Sequence, residues 1–295
     1  MITYSILETK TNKGYSLLDS GDGEKLERYG EAVIARPDPQ ALWKKRLSES
    51  EWNKADAYFK RDSKSAEWQT RKKLPERWPI ELAGLKFWIK LSAFKHTGVF
   101  PEQAGNWGWV LQQVESRKSI KSESPTSVLN LFGYTGGATL AAAQAGAEVV
   151  HLDGSKVAIG WGRDNAELSG LKDKPIRWIL DDARTFVKRE IKRGRKYDGI
   201  IMDPPAFGHG PGGEVWKIEE HFLELLDLCK QVLSEKPLFF LINGYASGYS
   251  AVAYKNSLGD LMKDFGGEIE IGELTIAEQD SERLLPAGIF ARWSV

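Results

Sequence analysis

A single cysteine, Cys229, stands in 295 residues, so neither an internal disulfide framework nor a cysteine-rich metal site can form. Histidine is almost as scarce. His96, His151, His209 and His221 are scattered without metal-ligand spacing, and no resident metal is expected. No apolar run approaches the ~18 residues of a membrane span, and the opening MITYSILETK lacks the basic-then-apolar pattern of a signal peptide. A soluble cytoplasmic protein with no membrane partner is expected. Net charge is missing as well: 41 basic residues balance 41 acidic ones, which excludes a chain that clings to polyanions along its whole length. The balance is uneven, however. Ala41 to His96 carries fourteen Lys/Arg against seven Asp/Glu, and Asp264 to Val295 carries two against seven. Such asymmetry, +7 at one end and −5 at the other, points one end toward a polyanion.

What the chain does have is a stretch that organises the rest. Val128–Gly137, VLNLFGYTGG, is a short β-prone run broken by Gly133-Tyr134-Thr135-Gly136-Gly137 and followed at once by a small-residue helix, Ala138–Ala145. A buried strand turning through glycines into a helix is the first unit of an open α/β sheet, whose ligands bind beyond the carboxyl ends of the strands. The spacing G-x-x-G-G, with bulky Tyr134 inside it, does not fit the G-x-G-x-x-G of a dinucleotide turn. No lysine follows to make a phosphate loop. Asp153 ends the next strand, seventeen residues after Gly136, where a carboxylate can accept both hydroxyls of a ribose. Together these describe a nucleoside ligand without phosphate, of which S-adenosylmethionine is the commonest. An ordinary βαβ turn with a surface aspartate would carry the same residues.

Residues 1–120 have a different texture. Seven of eleven tryptophans lie there, among short β-prone runs (Tyr15–Leu18, Ala32–Ala35, Phe87–Leu91) separated by turn chemistry such as Asp19-Ser20-Gly21-Asp22-Gly23. A short helix is expected over Gln40–Leu47 and another over Asn106–Ser116. This reads as a β-rich, Trp-rich substrate-binding module, in which the aromatics either stack bases beside basic residues or form a minicore with a solvated rim. The polar run 119–126 is the expected linker. From 121 to 295 strands and helices alternate: Val128–Phe132, Ala138–Ala145, Glu148–Leu152, Lys156–Ser169, Ile176–Leu180, Ala183–Arg193, Tyr197–Met202, Glu219–Leu233, Leu238–Ile242 and Ala251–Phe265. That alternation predicts a doubly wound, mostly parallel sheet. Glu268–Ile276 and Gly288–Trp293, with no helix between them, are expected as an antiparallel pair at one edge.

Two further motifs carry chemistry. Asp181-Asp182-Ala183 follows the third strand and opens a helix; an acid there can accept from an adenine amino group, or serve as an N-cap. Asp203-Pro204-Pro205-Ala206-Phe207 follows an apolar strand. Two successive prolines remove two donors and hold the backbone out of a helix. Asp203 and the Pro204 carbonyl can then orient a nucleophile, and Phe207 can stack on a base.

These residues together resemble class I S-adenosylmethionine-dependent methyltransferases. The likeness rests on Leu131–Gly137, Asp153-Gly154-Ser155, Asn165–Leu171, Asp181-Asp182-Ala183 and Asp203–Phe207, and is nearest to bacterial large-subunit ribosomal RNA methyltransferases, a family with cytosine carbon-5 and guanine-N7 members. Asp19–Glu27 and Thr97–Gln103 are similar to that family's central β module and cofactor-closing segment, which here reads Glu102-Gln103-Ala104 in place of Asp-Gln-Arg. The resemblance implies a Rossmann-like α/β sheet, S-adenosylmethionine as cofactor and RNA, ribosomal for preference, as partner. No separate N-terminal RNA-binding domain of the kind many relatives carry is expected, which would place RNA docking on residues 1–120.

By position, the resemblance assigns Phe132, Tyr134, Thr135, Gly136, Gly137, Asp153, Gly154, Ser155, Asn165, Asp182, Ala183 and Gln103 to the cofactor, and Asp203, Pro204 and Phe207 to the transfer site. Methylation of cytosine carbon 5 needs a thiolate facing the pocket. Ala246 stands where carbon-5 members carry that cysteine, and Cys229 falls at helical spacing among Phe222, Leu225, Leu226 and Leu233, as inert core. A nitrogen acceptor is therefore expected. Other readings are a methyltransferase of proteins or small molecules and a non-catalytic RNA-binding protein that keeps the pocket. Monomer and homodimer both remain open.

Overall fold

The computed structural model describes residues 3–61, 66–92, 95–118, 124–245 and 248–295. In chain order its elements are β1 (Thr3–Thr9), β2 (Tyr15–Gly21), β3 (Glu24–Tyr29), β4 (Ala32–Pro37), α1 (Glu49–Trp52), β5 (Ala57–Arg61), β6 (Ala66–Thr70), β7 (Trp78–Leu82), β8 (Leu85–Ile89), α2 (Ala104–Lys118), β9 (Ser127–Leu131), α3 (Gly137–Gln144), β10 (Glu148–Asp153), α4 (Lys156–Leu168), β11 (Ile176–Leu180), α5 (Ala183–Lys192), β12 (Gly199–Met202), β13 (Phe207–His209), β14 (Val215–Lys217), α6 (Ile218–Val232), β15 (Phe239–Gly244), α7 (Ala251–Met262), β16 (Glu268–Ala277) and β17 (Leu284–Ser294). They form two compact units. One holds Met1–Ile6, Asn106–Glu273 and Gly288–Val295; the other holds Leu7–Gly105 and Leu274–Ala287. The division falls at Gly105/Asn106, ahead of the polar run 119–126, of which 119–123 lie outside the described residues. Helix α2 counts with the larger unit from Asn106 onward because its tryptophans pack there: the Trp107 ring lies under Gly137, and Trp109 meets Phe239 edge-on at 5.6 Å.

The larger unit is built on a sheet of order β1-β16-β17-β15-β12-β9-β10-β11. β15, β12, β9, β10 and β11 are parallel, and β17 runs antiparallel to β15. The expected antiparallel strands are present, but the edge beyond them is β1, which the sequence did not mark. β12 and β15 are buried at every position, as strands covered on both faces must be, and so they read as unbroken apolar runs. The covering helices bury one stripe each. In α5 it is Ala183, Phe186, Val187 and Glu190, and in α6 Ile218, Phe222, Leu225, Leu226, Cys229 and Val232. These stripes close one core with β9, β12 and β15. Cys229 is fully buried within it, and burial pushes its thiol well above the ordinary range.

β9 lies between β12 and β10, so the chain leaves β9 on one side and returns on the other. That arrangement makes a switch point, with a crevice outside the strand ends. The ends stand level: Met202 pairs with Leu131, Leu131 with Leu152, and Asp153 with Leu180.

The smaller unit has a sheet of order β2-β3-β4-β5-β6 and the hairpin β7–β8. Its centre is ionic. Glu27, fully buried, is gripped by the Arg36 guanidinium and accepts from the Tyr15 and Tyr29 hydroxyls at 2.8 and 3.1 Å. The expected helix over Gln40–Leu47 is absent; the only described helix nearby is α1. Asp19 draws the backbone N–H groups of Arg46 and Leu47, and the Trp43 carbonyl accepts from Asp22 N–H, so these groups serve the β2–β3 turn instead of a helix ladder. Four tryptophans here direct their indole N–H inward: Trp43 to Ser20, Trp52 to Asp19, Trp68 to Ser92 and Trp78 to Tyr29. Trp52 and Trp78 are buried, and Trp43 and Trp68 half-buried.

Candidate active site

The turn after β9 is strained where the glycine pattern predicts ligand approach. Phe132 and Tyr134, neither a glycine, sit at φ of 57° and 48°, a conformation that side chains of this size adopt only under surrounding constraint. Gly136, at φ 93°, caps the start of α3 in the same left-handed region, which glycine alone enters freely. The turn's donors are largely committed internally: Gly133 N–H to the Leu152 carbonyl, Gly136 N–H to the Gly133 carbonyl, and Tyr134 N–H to Asp153 Oδ2 at 2.8 Å. Those N–H groups cannot cradle a pyrophosphate, which agrees with the absence of a dinucleotide spacing.

Beneath the turn lies a polar scaffold. Asn165, fully buried, donates its amide to the Thr135 carbonyl at 3.0 Å, so it shapes the turn from behind. Asn130 donates to Thr139 Oγ1 at 2.8 Å, and that hydroxyl faces His151 Nδ1 at 2.9 Å. The His151 imidazole is fully buried. Burial pushes its pKa down to about 3, so it stays neutral at any working pH. A Cβ on Gly133 would meet this ring at 2.5 Å, and one on Gly137 would meet Trp107 at 2.3 Å.

Asp153 bridges two backbone donors, Oδ2 taking Tyr134 N–H and Oδ1 taking Ser155 N–H at 2.8 Å. Burial raises its pKa, while these two bonds pull the other way. Ser155 caps α4 through Ala158 N–H. Asp182 caps α5 through Thr185 N–H at 2.9 Å and directs Ala183 into the first turn; its neighbour Asp181 pairs with Arg189. The cap reading therefore holds for Asp182, with its second oxygen and the helix N-terminus beside it.

Asp203 and Pro204 leave β12 next to Phe132, one strand over. Beyond them lies an element that sequence reasoning missed. Phe207–His209 and Val215–Lys217 pair as a hairpin, and its Trp216 donates Nε1–H to the Pro205 carbonyl at 2.6 Å while its ring stands 5.0 Å from Phe132. The hairpin packs over the ends of β10 and β11: a Cβ on Gly154 would lie 3.0 Å from the His209 carbonyl, and one on Gly210 3.1 Å from Asp182 Cβ. Phe207 is 57% exposed and meets His209 edge-on. The only signal for this hairpin was Pro211-Gly212-Gly213 between Phe207 and Val215-Trp216. Tyr254 of α7 also faces Asp203, and burial together with that charge pushes its phenol up to about 12. Gln103 lies in the smaller unit, in the single turn Pro101–Gln103. Ala246 lies outside the described residues. Among the described residues no group of three or more acidic, His or Cys side chains is placed to hold a metal.

The glycine turn, Asp153, the capped start of α5 and the Asp-Pro loop stand level at one switch point, the arrangement of a class I, Rossmann-like methyltransferase. The family model for S-adenosylmethionine-dependent methyltransferases matches residues 50–234, and the chain belongs to that family. It is 42% identical to the S-adenosylmethionine-dependent methyltransferase from Agrobacterium tumefaciens, known as a crystal structure, with a TM-score of 0.91 over 99% of this chain and 95% of that one. Over 240 residues it is 25% identical to ribosomal RNA large subunit methyltransferase K of Neisseria meningitidis serogroup B, spanning 77% of this chain and 64% of the relative. Over 102 residues it is 39% identical to ribosomal RNA large subunit methyltransferase I of Aeromonas salmonicida, spanning 34% and 26%. The chain thus spans less than two thirds of these curated relatives. Its cofactor is S-adenosylmethionine, and the turn, whose donors are largely committed internally, offers no phosphate cradle. Among the described residues no helix is long and apolar enough to cross a membrane.

Proposed function

We propose that this enzyme transfers a methyl group from S-adenosylmethionine to a nitrogen of RNA, ribosomal RNA for preference. The observation that carries the nitrogen reading is the chain's one thiol: Cys229 is fully buried in the core and its pKa is raised by burial, so it supplies no thiolate to the pocket. Carbon 5 of cytosine is a poor nucleophile without such an adduct, whereas a ring or exocyclic nitrogen brings its own lone pair. Asp153 takes the ribose hydroxyls, the turn Tyr134–Gly137 meets the methionine part, and Asp182 with Ala183 holds the adenine. The acceptor nitrogen attacks the methyl carbon as the carbon–sulfur bond breaks, and S-adenosylhomocysteine leaves. Asp203 and the Pro204 carbonyl orient the attacking atom, and Phe207 stacks on its base. The sulfonium is already a strong electrophile, so positioning does most of the work. The RNA reading is supported by what the Neisseria and Aeromonas relatives are named for.

Labelled methyl transfer into total RNA, protein and small-molecule fractions tests it. Label in RNA is expected; label confined to protein or to small molecules would sink the RNA reading. RNA bearing 5-fluorocytosine separates the two chemistries, because a carbon-5 enzyme is trapped on it as a covalent complex. No trapped complex is expected from the wild type or from Cys229→Ala.

A further inference from the structure

Six of the fourteen cations of residues 41–96 are paired with carboxylates of their own unit. Lys44 pairs with Asp22, Lys45 with Glu24, Arg46 with Glu278, Lys54 with Glu51, Lys72 with Asp56 and Lys90 with Glu76. A second cationic segment lies in the larger unit. Residues 172–196 hold ten Lys/Arg against four Asp/Glu, a net of +6. Part of that charge is also committed: Lys172 to Glu167, Arg184 and Lys188 to Glu224, Arg189 to Asp181, and Lys196 to the Gln231 carbonyl.

Five remain, Lys174, Arg177, Lys192, Arg193 and Arg195, and three of them, Arg177, Arg193 and Arg195, act on Glu190 or the adjoining Tyr197. The Glu190 carboxylate is fully buried and is held by Arg193 at 2.7 Å and the Tyr197 hydroxyl at 2.6 Å. Burial alone would raise its pKa, but those bonds and the charges of Arg177 and Arg193 lower it, so it is ionised. Arg177 and Arg195 both act on the adjoining Tyr197, and Arg195 N–H closes the turn onto the Glu190 carbonyl at 3.0 Å. Arg177, Lys192, Arg193 and Arg195 are all exposed. Of the four, only Arg193 has a carboxylate within ion-pair distance among the described residues. The negative charge available locally is Glu190 plus about half a charge at the C-terminus of α5. Four cations exceed that by roughly two and a half charges. Among the described residues no further carboxylate is within ion-pair distance of these four; Arg177 lies on β11, the last strand of its sheet, and the other three at and just beyond the C-terminus of α5.

We propose that Arg177, Lys192, Arg193 and Arg195 form a docking surface for the phosphate backbone of the RNA substrate. The inference rests on the RNA reading above. The surface lies one helix length, roughly 15 Å at 1.5 Å per residue, from Asp182 at the nucleoside end of the site. It therefore grips RNA beyond the acceptor nucleotide and carries no sequence information of its own.

The test is the salt dependence of binding by the full chain, with poly(U) and protein-free large-subunit ribosomal RNA as probes. The triple variant Arg177→Gln/Lys192→Gln/Arg195→Gln leaves Arg193 on Glu190 and so spares the buried carboxylate. Its log affinity against log salt is expected to be shallower than wild type by roughly two, at ~0.7 per phosphate contact on a single strand. KM for RNA should rise, with kcat and S-adenosylhomocysteine affinity unchanged. Lys192→Gln and Arg195→Gln alone should each flatten the slope by a smaller step, which keeps the test open should the triple variant fold poorly. Arg177→Lys/Arg195→Lys should keep the wild-type slope. A wild-type slope in the glutamine variants, with RNA still methylated, overturns the docking surface alone. So does a loss of binding to phosphatidylserine vesicles while RNA binding is untouched. Wild-type protein that neither binds nor labels RNA overturns the RNA reading and the surface together.

Discussion

Asp153→Asn changes one atom and tests the centre of the site. The carboxylate presents Oδ2 to Tyr134 N–H and Oδ1 to Ser155 N–H, each at 2.8 Å. Asparagine has one oxygen, so one of these donors must face an NH2 group, and the ribose hydroxyls lose a charged acceptor. A hydrogen bond to a charged group contributes about 1.5–3 kcal/mol, which at ~1.4 kcal/mol per decade weakens cofactor binding roughly 10- to 150-fold. Stability should behave differently. Burial raises the folded-state pKa of Asp153, so its contribution is most favourable at low pH and declines as pH rises through that raised value. Near neutrality the buried charge is a burden on the fold, and the amide removes it while losing one backbone bond. The two effects oppose, and Tm should hardly move. Titration calorimetry with S-adenosylhomocysteine near neutral pH, alongside thermal melts, reads both quantities. Wild-type affinity in Asp153→Asn would refute the reasoning, as would an affinity loss matched by an equal loss of stability.

Trp216→Phe keeps the ring on Phe132 and removes the N–H that holds Pro205; at about 0.5–1.5 kcal/mol for the bond, kcat should fall several-fold with S-adenosylhomocysteine binding intact, and an unchanged kcat would dismiss the anchor. Glu27→Gln strands Arg36 in the smaller unit's core. Burial would raise the Glu27 pKa, but Arg36 and Lys25 bring it from 4.5 to about 2, which at ~1.4 kcal/mol per pKa unit is about 3 kcal/mol. Because the folded value is depressed, that stability is present above the unfolded pKa and is lost as pH falls toward 2; urea melts of Glu27→Gln and wild type should therefore converge at low pH and differ most near neutrality. Gly137→Ala puts a methyl 2.3 Å from the Trp107 ring, an overpacking expected to cost about 1–3 kcal/mol, and a melt matching wild type would show that α2 yields.

The parallel sheet was legible because each buried strand is a continuous apolar run and each covering helix keeps one stripe. The glycine turn and the Asp-Pro loop were legible because backbone chemistry is written in the residues themselves. Three features were not. Ala41–Leu47 has good helix formers, yet the Asp19 carboxylate captures backbone N–H groups there and wins. The hairpin carrying Trp216 is too short and too rich in glycine to show a strand pattern, so the residue that anchors the Asp-Pro loop carries no mark in the sequence. Charge counts found the +7 of residues 41–96 but not where each partner lies, and pairing such as Arg46 with Glu278 is decided in three dimensions.

Strand β1 has a bearing on how this molecule comes into being. It is the outermost strand beside β16, and the Tyr4 hydroxyl donates to Glu273, 269 residues away. A ribosome making the chain must hold β1 without its partner until almost all the rest has emerged. The sheet therefore cannot be finished before β16 is made, however early β9 to β12 settle. Contacts of such separation are entropically late to form, and an unpaired strand is an invitation to wrong neighbours while it waits. The firmness of β16 and β17 therefore depends on the first strand of the chain as much as on the last.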